Sequence, residues 1–208
     1  PADPLMQEVH ELLQSSVAYE LRGIGALNHG DWSAAAAYFR KGLELSPANP
    51  SLGHRLGTAL FQMGDTRGAV AQLEEVVRVS PEFAKAHYSL GAIAEAAGRT
   101  NDAIERFSTA VRLDPSHVAA RLSLANQLRE SGRLGESLSQ YEQVIKLDPR
   151  VADGQFGYAI ALFGLRRYQE ARDRLTEGMK AYPDQPAFGF SLARLLAAAP
   201  DDRVRDGR

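Results

Sequence analysis

Residues 31–47 read DWSAAAAYFRKGLELSP, and residues 65–81 read DTRGAVAQLEEVVRVSP. Both stretches open on an aspartate and close on Ser-Pro, with alanine at the fifth position (Ala35, Ala69) and a bulky apolar residue at the ninth (Phe39, Leu73). Apolar residues recur three and four apart in each, the spacing of one face of an amphipathic helix. The aspartate is suited to cap the first turn. The proline ends the helix, because it has no N–H to donate and disfavours helical geometry in the residue before it.

The same marks recur along the chain. Pro47, Pro81, Pro115, Pro149 and Pro183 are each 34 residues apart. Gly23, Gly57, Gly91, Ala125 and Ala159 form a column of small residues 24 before each proline, and Ala35, Ala69, Ala103, Ser137 and Ala171 form another 12 before it. Phe39, Leu73, Phe107, Tyr141 and Leu175 form a bulky column eight before it. Glycines at 30, 64, 98 and 132 each stop one helix just ahead of the next. Small residues in fixed columns let two helices approach where a larger side chain would overpack by roughly 1–3 kcal/mol. One period repeated five times describes a stack of helix pairs.

These columns resemble the tetratricopeptide repeat, in the form found in bacterial multi-repeat proteins. The resemblance covers residues 16–185 as five units, 16–49, 50–83, 84–117, 118–151 and 152–185. It implies an all-α fold, a right-handed superhelical solenoid of antiparallel helix pairs. Residues 1–15 are expected to hold a capping helix, at about 4–14, because Asp3-Pro4 is a helix start and Leu5, Met6, Val9, Leu12 and Leu13 share one face. Residues 186–208 are expected to be the first helix of a sixth, truncated repeat and a connector. In the fifth unit Arg166 stands where the glycine between helices belongs, with Gly164 two residues early, so an altered turn is expected there.

Composition narrows the function. With 24 Lys+Arg against 26 Asp+Glu the net charge is −2, which disfavours binding driven by a positive field, whether to nucleic acid or to an anionic membrane. No run of 18 apolar residues is present for direct membrane insertion. The reading is a soluble protein, cytoplasmic or periplasmic. Cysteine is absent, which removes thiolate metal sites and cysteine nucleophiles. His10-Glu11-Leu12-Leu13-Gln14 begins like a zinc-protease helix, but Gln14 replaces the second histidine. Gly23-Ile24-Gly25 is preceded by no strand and followed by Asn28 where a dinucleotide loop needs glycine. The expectation is a non-enzymatic chain with no catalytic residue, metal site or cofactor.

Function then belongs to a surface. At about 100° per residue, first-helix positions 4, 7, 8 and 11 of each unit share one side, and positions 2, 5, 9 and 12 share another. The resemblance implies that the second set lines a concave groove that grips extended peptides. Its candidate residues are His54, Thr58 and Phe61 in the second unit, Lys85 and Tyr88 in the third, and Leu122, Asn126 and Arg129 in the fourth. Phe156, Ile160 and Phe163 follow in the fifth, then Phe190 and Arg194. Phe156, Ile160, Phe163 and Phe190 make an apolar stripe to anchor side chains, and the polar middle is placed to hold the peptide backbone. A family clamp for chaperone C-terminal carboxylates is not reproduced. Its columns here hold Glu20, Ile24, Arg55, Lys85 and Ser89, of which Lys85 alone matches, and Glu20 would repel a carboxylate. The expected function is a protein–protein interaction scaffold that binds a peptide or partner segment in the groove. The alternatives are self-association through an uncapped C-terminal end, or a docking arm of a larger enzyme.

Overall fold

The computed structural model describes residues 14–198, so residues 4–13 of the expected N-terminal helix and the connector from 200 onward lie outside the described residues. The chain divides after Ala97 into two compact units. The first holds α1 (Ser16–Asn28), α2 (Trp32–Leu45), α3 (Pro50–Gln62), α4 (Thr66–Val79) and α5 (Ala84–Ala96). The second holds α6 (Thr100–Leu113), α7 (Val118–Glu130), α8 (Leu134–Leu147), α9 (Ala152–Gly164), α10 (Tyr168–Ala181) and α11 (Pro186–Ala198). No strand occurs among the described residues, and within each unit every helix packs against the next. The fold is all-α.

The short link within a helix pair is made by backbone geometry. Gly30, Gly64 and Gly132 adopt φ of 72°, 85° and 78°, a region that costs a residue with a β-carbon but not glycine. The turn closes with two hydrogen bonds, as in Gly132 N–H to Arg129 O at 3.1 Å and Arg133 N–H to Leu128 O at 2.8 Å. The altered turn expected at Arg166 does not occur. Arg166 itself takes φ 60°, and the same bonds form, Arg166 N–H to Phe163 O and Arg167 N–H to Leu162 O, both at 3.0 Å. The turn is thus made with an arginine in the left-handed region, where a β-carbon is disfavoured. Gly164 has its own reason to be glycine: a β-carbon there would meet Leu134 Cδ1 at 2.8 Å.

The residue after each turn caps the second helix. Asp31 and Asp65 accept from Ala34 N–H at 2.9 Å and Gly68 N–H at 2.8 Å. In the later pairs arginine takes this place and provides no cap, and its guanidinium instead pairs with the third helical residue. Arg99 meets Asp102 at 3.1 Å, and Arg133–Glu136 and Arg167–Glu170 meet at 2.6 Å. Each pair is solvent-exposed and screened by water, so none of them is a main support of the fold. At the far end Ser46, Ser80, Asp114, Asp148 and Tyr182 leave helical geometry ahead of their prolines, with φ between −128° and −144°.

The columns of the sequence are the core. Phe39, Leu73, Phe107, Tyr141 and Leu175 are all fully buried. Gly23 lies against the Phe39 ring and Gly57 against Leu73, so the small column of a repeat receives the bulky column of the same repeat. Burying a bulky side chain of this kind contributes about 1.5–3 kcal/mol. The first-helix faces left over are those that can meet another molecule.

Candidate functional site

In the first unit the leftover faces of α3 and α5 enclose a cleft of about 220 Å³. Gly57, Thr58, Phe61 and Gln62 line it from α3, and Tyr88, Ser89, Ala92 and Ile93 from α5, with Leu73 of α4. Of the residues expected in the groove, Thr58, Phe61 and Tyr88 are in this wall. His54 stands just outside, one turn before Thr58, with its Nε2 at 2.9 Å from Ser89 Oγ. Its ring also meets Phe83 edge-on, centroids 5.8 Å apart. The Thr58 hydroxyl donates to the His54 carbonyl at 3.0 Å. Burial, reinforced by the positive charges of Lys85 and Arg55, lowers the His54 pKa from 6.5 to about 4, so the imidazole is neutral at neutral pH.

Two cross-links at one offset tie these first helices together. Arg55 Nε donates to Glu20 Oε1 at 3.1 Å, joining α3 to α1, and His54 joins α3 to α5; each pair is 35 residues apart, one repeat plus one. Position 5 of one unit therefore reaches position 6 of the next. Ser89 belongs to the cleft for that reason, although the positions 2, 5, 9 and 12 do not include it.

In the second unit a smaller cleft of about 80 Å³ lies between α9 and α11, lined by Ile160, Phe163, Leu175, Ser191 and Arg194. Ile160, Phe163 and Arg194 were expected here. The rest of the apolar stripe divides. Phe156 stacks edge-to-face on the buried Phe188 ring, centroids 5.3 Å apart, and packs against the core. Phe163 also leans on Tyr168 at 5.7 Å. Phe190 stands away from the cleft with 71% of its surface exposed.

The polar residues of the fourth repeat are turned inward. The buried Tyr141 hydroxyl donates to Asn126 Oδ1 at 2.6 Å and accepts from Arg129 Nε at 3.1 Å. Burial pushes the Tyr141 phenol above its usual pKa, against the opposing pull of Arg129. Leu122 packs beside the same tyrosine. These side chains satisfy a polar group that would otherwise be orphaned in the core.

The tetratricopeptide repeat family matches residues 54–118, 94–150 and 122–186, more than half of the chain. The chain belongs to the tetratricopeptide repeat family. Repeat scaffolds of this family mediate protein–protein interaction and are generally non-catalytic. No match is found among curated proteins. Among solved structures, YrrB, described as a tetratricopeptide repeat protein with an unusual peptide-binding site, is 20% identical with a TM-score of 0.71, covering 92% of this chain and 98% of its own. MamA is 21% identical with a TM-score of 0.69, covering 81% and 92%. MamA of Desulfovibrio magneticus RS-1 is 19% identical with a TM-score of 0.70, covering 82% and 96%. At these identities the likeness concerns the repeat fold alone. Among the described residues of this repeat protein, no helix is long and apolar enough to cross a membrane.

Proposed function

We propose that the protein is a non-catalytic scaffold that captures a segment of a partner protein on the first-helix faces of its repeats. One observation carries this: in both units a cleft opens between the first helices of neighbouring repeats, walled by residues that helical periodicity selects, Thr58, Phe61 and Tyr88 in one, Ile160, Phe163 and Arg194 in the other. The cleft walls are apolar side chains with a few polar ones at the edge, the composition of a surface that grips side chains.

Replacing Phe156 is a poor test, because its ring is spent on Phe188 and its loss would disturb the core. Photo-reactive benzoylphenylalanine placed at Ser191 or Gln62, with Glu105 on a second helix as control, tests the reading in native lysate. The same partner cross-linked from a cleft position and not from Glu105 supports it. Equal cross-linking from Glu105, or none from either cleft, removes it.

Self-association is favoured by one separate feature, the exposed Phe190 on α11. Light scattering across a concentration series compares wild type with Phe190→Ser. A mass that rises with concentration only in the wild type establishes this second reading.

A further inference from the structure

The two clefts differ in what they can hold. About 220 Å³ between α3 and α5 has room for a phenyl, leucyl or methionyl side chain, whereas the cleft between α9 and α11 offers only about 80 Å³. Both fall below the roughly 300–1,000 Å³ of small-molecule and cofactor sites. The larger cleft is therefore sized for one anchoring side chain. The Thr58 and Ser89 hydroxyls are already engaged, Thr58 with the His54 carbonyl and Ser89 with the His54 ring, and the rest of the wall is mostly apolar, so it favours an apolar occupant.

The cleft also carries a charge at one end. Lys85 lies one helical turn before Ser89 and is exposed. It forms no ion pair among the described residues, while the neighbouring Arg55 is already paired with Glu20 at 3.1 Å. Burial keeps His54 neutral. One uncompensated positive charge thus stands at the His54 end of an otherwise apolar cleft.

We infer that the cleft between α3 and α5 anchors one bulky apolar side chain of a partner segment, and that an acidic side chain beside the anchor faces Lys85. This rests on the groove reading proposed above and names the chemistry of its occupant. The apolar contact supplies affinity, and the acid supplies selection against segments with a basic flank.

The probes are three acetylated, amidated pentapeptides, Gly-Asp-Phe-Gly-Gly, Gly-Lys-Phe-Gly-Gly and Gly-Asp-Ala-Gly-Gly, titrated into the 15N-labelled chain. With blocked ends, no terminal carboxylate contributes. The Asp-Phe peptide is expected to shift the Thr58, Tyr88 and Ala92 amides saturably, the Lys-Phe peptide to bind about threefold more weakly, as for a surface ion pair, and the Asp-Ala peptide to leave them unmoved. Lys85→Glu should reverse the order of the first two. Ala92→Phe should fill the cleft and abolish binding with helical circular dichroism unchanged, and Ala92→Leu serves the same purpose if the larger ring is not accommodated. Equal binding of the Asp-Phe and Lys-Phe peptides overturns the inference, as does a Lys85→Glu protein that keeps the original order. Absence of shifts at the cleft amides also overturns it. Shifts confined to Ile160, Phe163 and Arg194 overturn this anchor while leaving the groove reading intact.

Discussion

Gly178 of α10 lies against the Phe188 ring of α11, ten residues on, so closely that a β-carbon at 178 would overlap the ring. The same two columns hold Gly42 with Leu52, Val76 with Ala86, Ala110 with Ala120 and Val144 with Gly154, so no pair is large at both positions. The contact joins the second helix of a repeat to the first helix of the next, and it is filled by a shared volume. Gly178→Val alone is expected to destabilise by about 1–3 kcal/mol through overpacking, and Phe188→Ala alone by about 3–5 kcal/mol. The double variant reproduces the Val76–Ala86 pair and should lose at least about 1 kcal/mol less than the sum of the two. Urea denaturation of the four proteins measures this; strict additivity would show that the columns do not compensate.

Arg166 makes a turn that glycine makes elsewhere, at φ 60° against 72° at Gly30. Arg166→Gly is expected to stabilise by about 1 kcal/mol, since the left-handed conformation costs a residue with a β-carbon about that much. Gly132→Ala should lose a similar amount, and nothing lies within 4 Å of a β-carbon placed there, so backbone strain is the whole effect. Thermal melts showing no gain for Arg166→Gly would mean that the arginine side chain offsets its own backbone.

Three of the five proline carbonyls that follow the second helices are capped by a side chain of the next helix. Arg121 Nη2 donates to Pro115 O at 2.8 Å, Gln155 Nε2 to Pro149 O at 3.3 Å, and His87 Nε2 lies 2.9 Å from Pro81 O, always six residues on. Three different side chains thus do the same work at one position. Arg121→Met keeps the aliphatic stem and removes the donors, and is expected to cost about 1–2 kcal/mol. Gln140→Ala, which removes only the 2.9 Å bond to Arg121 Nη1, should cost less. Equal losses in the two variants would assign the effect to Gln140 instead.

His54 gives stability a pH dependence of known sign. Its pKa is lowered from 6.5 to about 4, so at acid pH the unfolded chain binds the proton more readily than the folded one. The stability due to the neutral ring is whole above pH 6.5 and is lost as the pH falls toward 4. By pH 4 the loss is on the order of 3 kcal/mol. Denaturant midpoints of wild type and His54→Gln between pH 7 and pH 4 should converge on acidification; parallel curves would mean that His54 is not the group responsible.

Much of this was legible in the chain. The period, the fully buried bulky column at Phe39 to Leu175, and the aspartate caps at Asp31 and Asp65 follow from local rules that each repeat obeys separately. Part of the cleft was legible too, because Thr58 and Phe61 share one face of α3 and Tyr88 lies on the corresponding face of α5. Ser89 was not, since it joins the wall through a bond to a histidine 35 residues away.

Local sequence is enough for whatever a helix decides alone: where it starts, where proline ends it, which side is apolar and therefore buried. Tertiary structure decided how the remaining faces are spent. Asn126 and Arg129 are polar residues on the same face as Thr58, yet they serve a buried tyrosine hydroxyl, and Phe156 serves the Phe188 ring. Periodicity says which way a side chain points. Only the packing of neighbouring helices says whether it meets a partner within the fold, because that depends on residues a full repeat or a helix away whose size and polarity no local pattern contains.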